Sequence, residues 1–239
     1  MKKSLLCSLA LASVISTPVN ADFLGLYAGA GVWNHAPSGG FQTTNALDVS
    51  IDMESTLGMT KETEGYAYVA FDHPVPLLPN VRLEKTSLTH EGTSSGVTFN
   101  GVTGLTGNAV ASLDSTDITL YWRLLDNWVN LDIGFTARKF DGEFTIGTES
   151  VTVTETVPML YAAAQFDLPF TGLSVGGDIN MISAAGNSLT DTRLRIAYEM
   201  GVIGIEAGLR TTNIELDDAD NVTTRLDFSG MFVGAFLHF

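Results

Sequence analysis

The sequence predicts an all-β protein, an antiparallel up-and-down transmembrane β-barrel of about ten strands, with eight or twelve strands as alternatives. Apolar and polar side chains alternate through ten stretches of the chain, as expected of strands that face lipid on one side. The connections between these stretches alternate between long and short. Beyond the N-terminus, no segment has the roughly 20 consecutive apolar residues that a transmembrane helix needs. Together these features are typical of a chain that spans a membrane with its strands.

The N-terminal segment has the form of a secretory signal peptide. Two lysines precede a short apolar core, Leu5–Ile15, and Ala21 supplies the small residue that a signal peptidase needs. The core is shorter than a transmembrane anchor, which takes roughly 20 residues. We therefore predict a cleaved signal peptide at residues 1–21 and one barrel domain at residues 22–239.

The composition excludes several classes of function. Cleavage removes Cys7, the one cysteine of the chain, and so excludes disulfides, thiol catalysis and cysteine metal sites in the mature protein. Cleavage also removes two lysines and no acids, which takes the formal charge from −15 to −17. Such an acidic chain is unsuited to binding nucleic acid. No motif indicates a cofactor, and we predict none.

The first five strands are predicted from alternation, punctuated by turn residues. Strand one alternates apolar residues with three glycines, which we expect to leave room inside a narrow barrel. Strand five alternates most regularly, with apolar residues at the odd positions. The five predicted strands are Phe23–Trp33, Tyr66–Asp72, Val81–Glu91, Asp114–Leu124 and Val129–Lys139.

Strand three is the exception to the pattern. Its alternation places Lys85 on the same face as Val81 and Leu83, where it would meet lipid. A lipid-facing lysine costs roughly 2–4 kcal/mol at the middle of the bilayer. Either Lys85 extends to the membrane surface, or a β-bulge reverses the faces of this strand.

The last five strands follow the same rule, with apolar residues at every second position against polar residues or glycine. We predict acidic loops at residues 141–156 and 214–221, and a loop or an exposed hairpin at residues 92–111. The long polar stretch 35–65 is predicted as a loop in which Leu47, Val49 and Ile51 extend a hairpin. The five predicted strands are Val157–Asp167, Leu173–Ser183, Leu189–Met200, Ile203–Asn213 and Val222–Phe239.

The loop lengths predict how the barrel is oriented. Long connections follow strands one, three and five, whereas tight turns follow strands two, four, six and eight. Outer-membrane barrels have long loops outside and short turns in the periplasm, so both termini are predicted to be periplasmic. Aromatic residues near the short turns are predicted to form the periplasmic girdle: Phe71, Trp122, Trp128, Phe166, Tyr198 and Phe239.

The last nine residues have a regular pattern of their own. The chain ends on an aromatic residue, preceded by apolar residues at every second position: Met231, Val233, Ala235, Leu237 and Phe239. This pattern resembles the closing strand of Gram-negative outer-membrane β-barrels, where it is the signal that the barrel-assembly machinery reads. The resemblance implies export through the periplasm with chaperones, contact with outer-membrane lipid and lipopolysaccharide, and a monomeric barrel.

The opposite faces of the strands predict what fills the lumen. They carry arginines and carboxylates in equal number, although the whole chain is acidic. A barrel of about eight strands is filled by its own side chains, whereas water channels appear at roughly 16 strands. Because buried charges must pair, we predict an ion-pair network that closes or narrows the lumen; the alternative is separately solvated side chains. The predicted network is Arg82, Glu84, Arg123, Asp132, Arg138, Asp178, Arg195, Glu199, Glu206 and Arg210.

Little in the sequence indicates catalysis. His35 and His90 are predicted at the outer rim as solvated residues; with Asp114 or Glu91 they resemble the site of an outer-membrane hydrolase, but no spacing demands it. The paired Asp and Asp-His elements of omptin-type proteases are missing. The acidic run 215–221 lacks the glycine and distal glutamate of an EF-hand loop, so a solvated loop is favoured over a cation site.

The function predicted from these observations is that of an integral outer-membrane barrel without enzymatic activity. It would serve envelope structure, surface contact or the passage of small solutes through a narrow channel. The alternative is a hydrolase that modifies lipid or peptide at the extracellular rim. A soluble periplasmic ligand-binding barrel is a third possibility, which fractionation separates from both.

Overall fold

The computed structural model describes residues 24–43, 50–75, 77–219 and 222–239, and these residues form one 13-stranded antiparallel sheet. The signal-peptide prediction, together with Phe23, Leu47 and Val49, lies outside the described residues. The strands are β1 Gly25–Thr43, β2 Ile51–Asp52, β3 Glu62–Asp72, β4 Asn80–Thr86, β5 Thr89–Phe99, β6 Val102–Asp126, β7 Val129–Ile146, β8 Glu149–Val153, β9 Thr156–Leu168, β10 Leu173–Ala184, β11 Asn187–Met200, β12 Ile203–Ala219 and β13 Val222–His238.

Ten of these strands close into a barrel, as the sequence predicts. β1 pairs with β13 on one side and with β3 on the other, so that Ala30 lies opposite both Ala235 and Ala67. The circuit continues through β4, β6, β7, β9, β10, β11 and β12 to β13. Short strands β2, β5 and β8 add hairpins at one end, paired to β1, β6 and β7 respectively.

The outer face of the barrel is an apolar belt. On β1 the belt runs from Leu26 to Val32, and exposed side chains such as Phe135 on β7 and Ile205 on β12 continue it around the circumference. We take these belt segments as the membrane-spanning parts of the strands. The predicted aromatic girdle lies at the end with the short turns, and five of its six members are more than 40% exposed. The sixth, Trp122, donates its indole N–H to the carbonyl of Leu77.

The loops predicted at residues 141–156 and 214–221 are wrong, because most of their length continues the strands: β7 extends to Ile146 and β12 to Ala219. β1 likewise extends to Thr43, into the stretch predicted as a loop at 35–65. Residues 92–111 form the β5–β6 hairpin, which is one of the two alternatives predicted for them. The reason is a reversal of polarity along each strand. On β6 the inward side chains are apolar beyond the membrane, as at Ala111 and Leu113, but polar within it, as at Asp117. The apolar face turns inward because the outer face there meets water.

Strand three also differs from the sequence prediction. β4 ends at Thr86 and β5 begins at Thr89, and between them the amide of Leu88 donates to a carboxylate oxygen of Asp114 at 3.1 Å. The pairing of β4 with its neighbours is regular, so no bulge reverses its faces. Lys85 therefore shares the outer face with Leu83, at the end of the belt away from the short turns.

No helix long and apolar enough to cross a membrane occurs among the described residues.

Candidate functional site: the closed lumen

The middle of the lumen contains a continuous network of ion pairs. Four arginines and four carboxylates from six strands take part, so their formal charges balance. Glu84 is the node: its carboxylate lies 2.5 Å from Arg82, 2.9 Å from Arg193 and 3.2 Å from Arg210. The members of this central network are Arg82, Glu84, Asp117, Arg138, Asp178, Asp191, Arg193 and Arg210.

A second node, Asp191, joins the two sides of the central network. Its carboxylate lies 2.7 Å from both Arg138 and Arg210. Arg138 also binds Asp117 through two hydrogen bonds of 2.6 and 2.8 Å, which is the paired geometry that fixes a guanidinium most firmly. These side chains are buried, with at most 8% of the side chain exposed. The network thus crosses the lumen as a fixed layer.

Nine of the ten lumen residues predicted from the sequence have an oppositely charged partner, and the tenth, Glu199, has a histidine as its partner. Arg123 lies 2.8 Å from Asp72 and 3.1 Å from Asp132, nearer the short turns. Arg195 lies 3.2 Å from Glu206, and Glu199 lies 3.0 Å from a ring nitrogen of His238. The sequence prediction missed Asp72, Asp117, Asp191 and Arg193. Asp117, Asp191 and Arg193 lie on the inward faces predicted for their strands, so extending the same alternation would have included them. Asp72 is the last residue of predicted strand two, for which no inward face was predicted.

A polar cavity of about 140 Å³ opens on the short-turn side of the central network. Tyrosine rings and charged groups line it together, among them Tyr27, Tyr121, Arg123, Asp132, Glu199 and Phe236. The hydroxyl of Tyr121 donates to Asp72, and the guanidinium of Arg82 stacks over the ring of Tyr68 at 4.4 Å. Arg82 and Asp178 of the central network also line this cavity, so it ends at that layer.

An apolar layer lies on the other side of the central network, toward the extracellular end. Residues 51–60, which we name the cap segment, lie at the barrel mouth and bury their apolar side chains there. The cap segment is held at both ends: the amide of Met53 donates to Gly39 at 2.9 Å, and that of Thr93 donates to the carbonyl of Leu57 at 2.8 Å. Met53, Leu57 and Met59 are at most 1% exposed.

Aromatic rings from non-adjacent strands complete this apolar layer. The ring of Phe41 on β1 lies 5.9 Å from that of Phe99 on β5 and 5.3 Å from that of Phe144 on β7. The guanidinium of Arg210 lies over the ring of Trp33 at 5.0 Å, where the charged and apolar layers meet. The lumen is therefore filled by two successive layers of different chemistry.

His35 and His90 are buried in this apolar layer, so their prediction as solvated rim residues is wrong. Their ring nitrogens lie 2.9 Å apart, and Nδ1 of His90 lies 3.0 Å from the carbonyl of Thr60 in the cap segment. That carbonyl only accepts, so His90 Nδ1 donates to it; with both rings neutral, His90 Nε2 then accepts from His35 Nδ1. Burial, the neighbouring His90 and the charge of Arg210 lower the pKa of His35 to about 4. Burial also lowers the pKa of His90.

The structure does not assemble the hydrolase site considered from the sequence. His35 contacts His90 instead of a carboxylate, and Asp114 accepts the Leu88 amide. Glu91 is exposed on the outer face of β5. Glu215, at the start of the acidic run, pairs with the exposed Arg225 at 2.9 Å. The described residues contain no group of three or more His, Cys, Asp or Glu side chains that could hold a metal ion.

The residues of the predicted assembly signal lie on the outer face of β13. Met231, Val233 and Phe239 are each more than half exposed, and Leu237 is 40% exposed. Phe232, on the opposite face, is only 3% exposed and packs in the lumen against Tyr66 at 5.9 Å. Phe239 exchanges two backbone hydrogen bonds of 2.9 Å with Leu26, which joins the last residue to the first strand.

Comparison with known proteins defines the fold but no closer relationship. No protein-family model matches the chain, and no curated protein matches it as a relative. The outer membrane protease OmpT of Escherichia coli is 9% identical, with a TM-score of 0.51 and coverage of 90% of this chain and 97% of that one. The translocator domain of the autotransporter NalP from Neisseria meningitidis is 11% identical, with a TM-score of 0.41 and coverage of 93% and 90%.

A third similar structure is Ail, the attachment invasion locus protein of Yersinia pestis. It is 9% identical, with a TM-score of 0.37 and coverage of 90% and 99%. At such identities the similarity concerns the fold alone. The closed ten-strand barrel and its apolar belt define the class: the chain is an integral outer-membrane β-barrel protein and lies in the outer membrane.

Proposed function

We propose that this barrel is a non-enzymatic, closed component of the outer membrane that serves envelope structure or surface contact. One observation carries the proposal: two layers follow each other along the lumen. The central network balances its charges across six strands. Beyond it, Met53, Leu57 and Met59 of the cap segment are buried among aromatic rings of the wall. A passing solute would have to separate buried ion pairs and then displace the cap segment, and both steps are costly.

The barrel wall outside the membrane supports a role in surface contact. A membrane-spanning strand needs about 9–11 residues, whereas β6 has 25 residues and β7 has 18. A large part of these strands therefore stands beyond the bilayer. The outer face of that part is polar and acidic, with Glu91, Asp141 and Glu143 exposed.

The environment of the histidines supports the non-enzymatic part of the proposal. A hydrolase at the extracellular rim needs a general base that substrate can approach. His35 and His90 are 0% exposed and bond to each other and to the cap segment. A strain that lacks the protein should have wild-type lipopolysaccharide and peptide profiles. A changed profile that the wild-type protein restores, but a His35→Gln variant does not, would contradict this part.

Solute efflux tests the closed lumen. The mature barrel is reconstituted into vesicles loaded with a small saccharide, with a general porin as the positive control. We expect efflux no faster than from protein-free vesicles. Efflux approaching that of the porin would contradict the proposal and would favour the narrow solute channel.

A further inference from the structure

Two lysines lie close together on the outer face, at the edge of the apolar belt away from the short turns. Lys85 on β4 and Lys139 on β7 are both paired to Thr116 on β6, which lies between them on the outer face. They are two strand spacings apart, or about 10 Å at the backbone. Below them on the same face are the belt residues Leu83 and Ala137. We name Lys85 and Lys139 the lysine pair.

At the level of the membrane, the arginines and the lysine pair lie on opposite sides of the barrel wall. Six arginines lie in the lumen and have carboxylate partners, whereas the lysine pair is exposed on the outside. Neither ammonium group forms an ion pair with any residue that the structure describes. Asp114 and Asp141 face each other two residue pairs farther from the membrane, and neither forms an ion pair with a lysine. Two like charges therefore stand side by side at the membrane edge, and neither has an ion-pair partner among the described residues.

An apolar groove lies in the belt below the lysine pair. Its volume is about 330 Å³, and four neighbouring strands, β6, β7, β9 and β10, form its walls. Phe135, which lines the groove, lies four residues from Lys139 on the same strand, or about 13 Å along it. The small side chain of Ala162 leaves the space between the larger walls formed by Trp122, Phe135, Leu160 and Met181. We name this feature the outer groove.

We propose that the lysine pair and the outer groove together bind one phosphate-bearing lipid of the outer leaflet. The lysine pair holds the phosphate at the membrane surface, and an acyl chain of the same lipid lies in the outer groove. This inference goes beyond the proposed function and needs only that the barrel spans the outer membrane.

Charge and position favour this occupant over a second copy of the barrel. A lysine is a compact cation that binds phosphate as a point charge, and its flexible stem lets two ammonium groups converge on one anion. A second copy would bring another belt and another lysine pair, or its acidic outer face, to the same level of the membrane. The outer groove instead faces lipid and lies below the lysine pair, which is where the acyl chain of a lipid with its phosphate on the lysine pair would lie.

Native mass spectrometry of the detergent-solubilised mature barrel, titrated with lipid A that carries both phosphates, tests the proposal. Each lysine near an anionic lipid contributes about fivefold in affinity, so the Lys85→Gln/Lys139→Gln variant should bind about 25-fold more weakly. Lys61→Gln is the matched control, because Lys61 is an exposed lysine away from the belt. It should bind like the wild type. Lipid A stripped of both phosphates should bind the wild type and the double variant equally weakly.

The outer groove has its own pair of variants. Ala162→Phe fills the groove and should weaken lipid binding, whereas Ala207→Phe, at an outward position of β12, should not. Wild-type affinity in the double lysine variant, or an equal loss in Lys61→Gln, would overturn the proposal. A dimer that forms in the wild type and is lost in Ala162→Phe would assign the outer groove to a second copy and would overturn it too.

Discussion

Replacing Glu84 by glutamine should destabilise the barrel strongly. Glu84 accepts from Arg82, Arg193 and Arg210, and its side chain is only 4% exposed. Glutamine keeps the size of the side chain but removes its charge. Arg193 and Arg210 then keep Asp178 and Asp191 as partners, whereas Arg82 has no other carboxylate partner among the described residues. Removing one partner of a buried ion pair costs about 3–5 kcal/mol, which is the expected loss in unfolding free energy.

Glu215→Gln is the matched control for this substitution. It breaks an Arg–Glu pair of similar length, 2.9 Å, but both side chains are exposed by 48% or more. An exposed pair contributes about 0–1 kcal/mol. Urea unfolding in detergent, followed by heat-modifiable gel mobility, compares the two variants. Adding Arg82→Met to Glu84→Gln should recover part of the loss. Equal unfolding curves for Glu84→Gln and Glu215→Gln would refute the assignment of the central network as a stabilising layer.

Three further predictions concern assembly, pH and processing. Phe239→Ala should lower the yield of folded barrel in cells but not in spontaneous refolding into lipid vesicles. Phe232→Ala should instead destabilise the folded barrel in both settings by about 3–5 kcal/mol, because it empties a buried site. Equal behaviour of the two variants would contradict the assembly signal. The lowered pKa values of His35 and His90 mean that the unfolded state binds more protons, so the cap segment should lose stability as pH falls below about 6.5. For His35 the loss continues down to about pH 4, at up to roughly 1.4 kcal/mol per pH unit, and His90 adds a loss in the same direction. Amide exchange of residues 51–60 measures this, and a pH dependence that persists after both histidines become glutamine would contradict it. N-terminal sequencing of the exported protein should begin at Asp22, and any other start would move the predicted cleavage site.

The barrel itself was predictable because the same two-residue alternation of apolar and polar side chains runs through all ten spanning strands. The short turns and the outer faces follow from alternation alone, and Lys85 faces outward as that rule requires. The inward charges were predictable for the same reason. Asp191 and Arg193 were missed only because the inward face predicted for this strand, β11, began at Arg195.

The extracellular end was not predictable in the same way. Beyond the membrane the apolar residues turn inward, and small residues such as Ala109 and Ala111 give that face a weak signal in a stretch rich in Gly, Ser and Thr. The sequence of the cap segment has no regular alternation that predicts its burial, because that burial depends on the barrel walls around it. The contact between His35 and His90 joins residues 55 positions apart, which no local pattern reveals.

Conductance in a planar bilayer tests the closed lumen most directly. The central network and the cap segment lie in series, so the wild-type barrel should show no steady conductance steps of the size that a general porin gives under the same conditions. Arg123→Gln and Glu206→Gln, which break ion pairs on the short-turn side, serve as comparison variants. Porin-like conductance in the wild type that neither substitution changes would contradict the account, because ions would then pass the lumen without meeting these ion pairs.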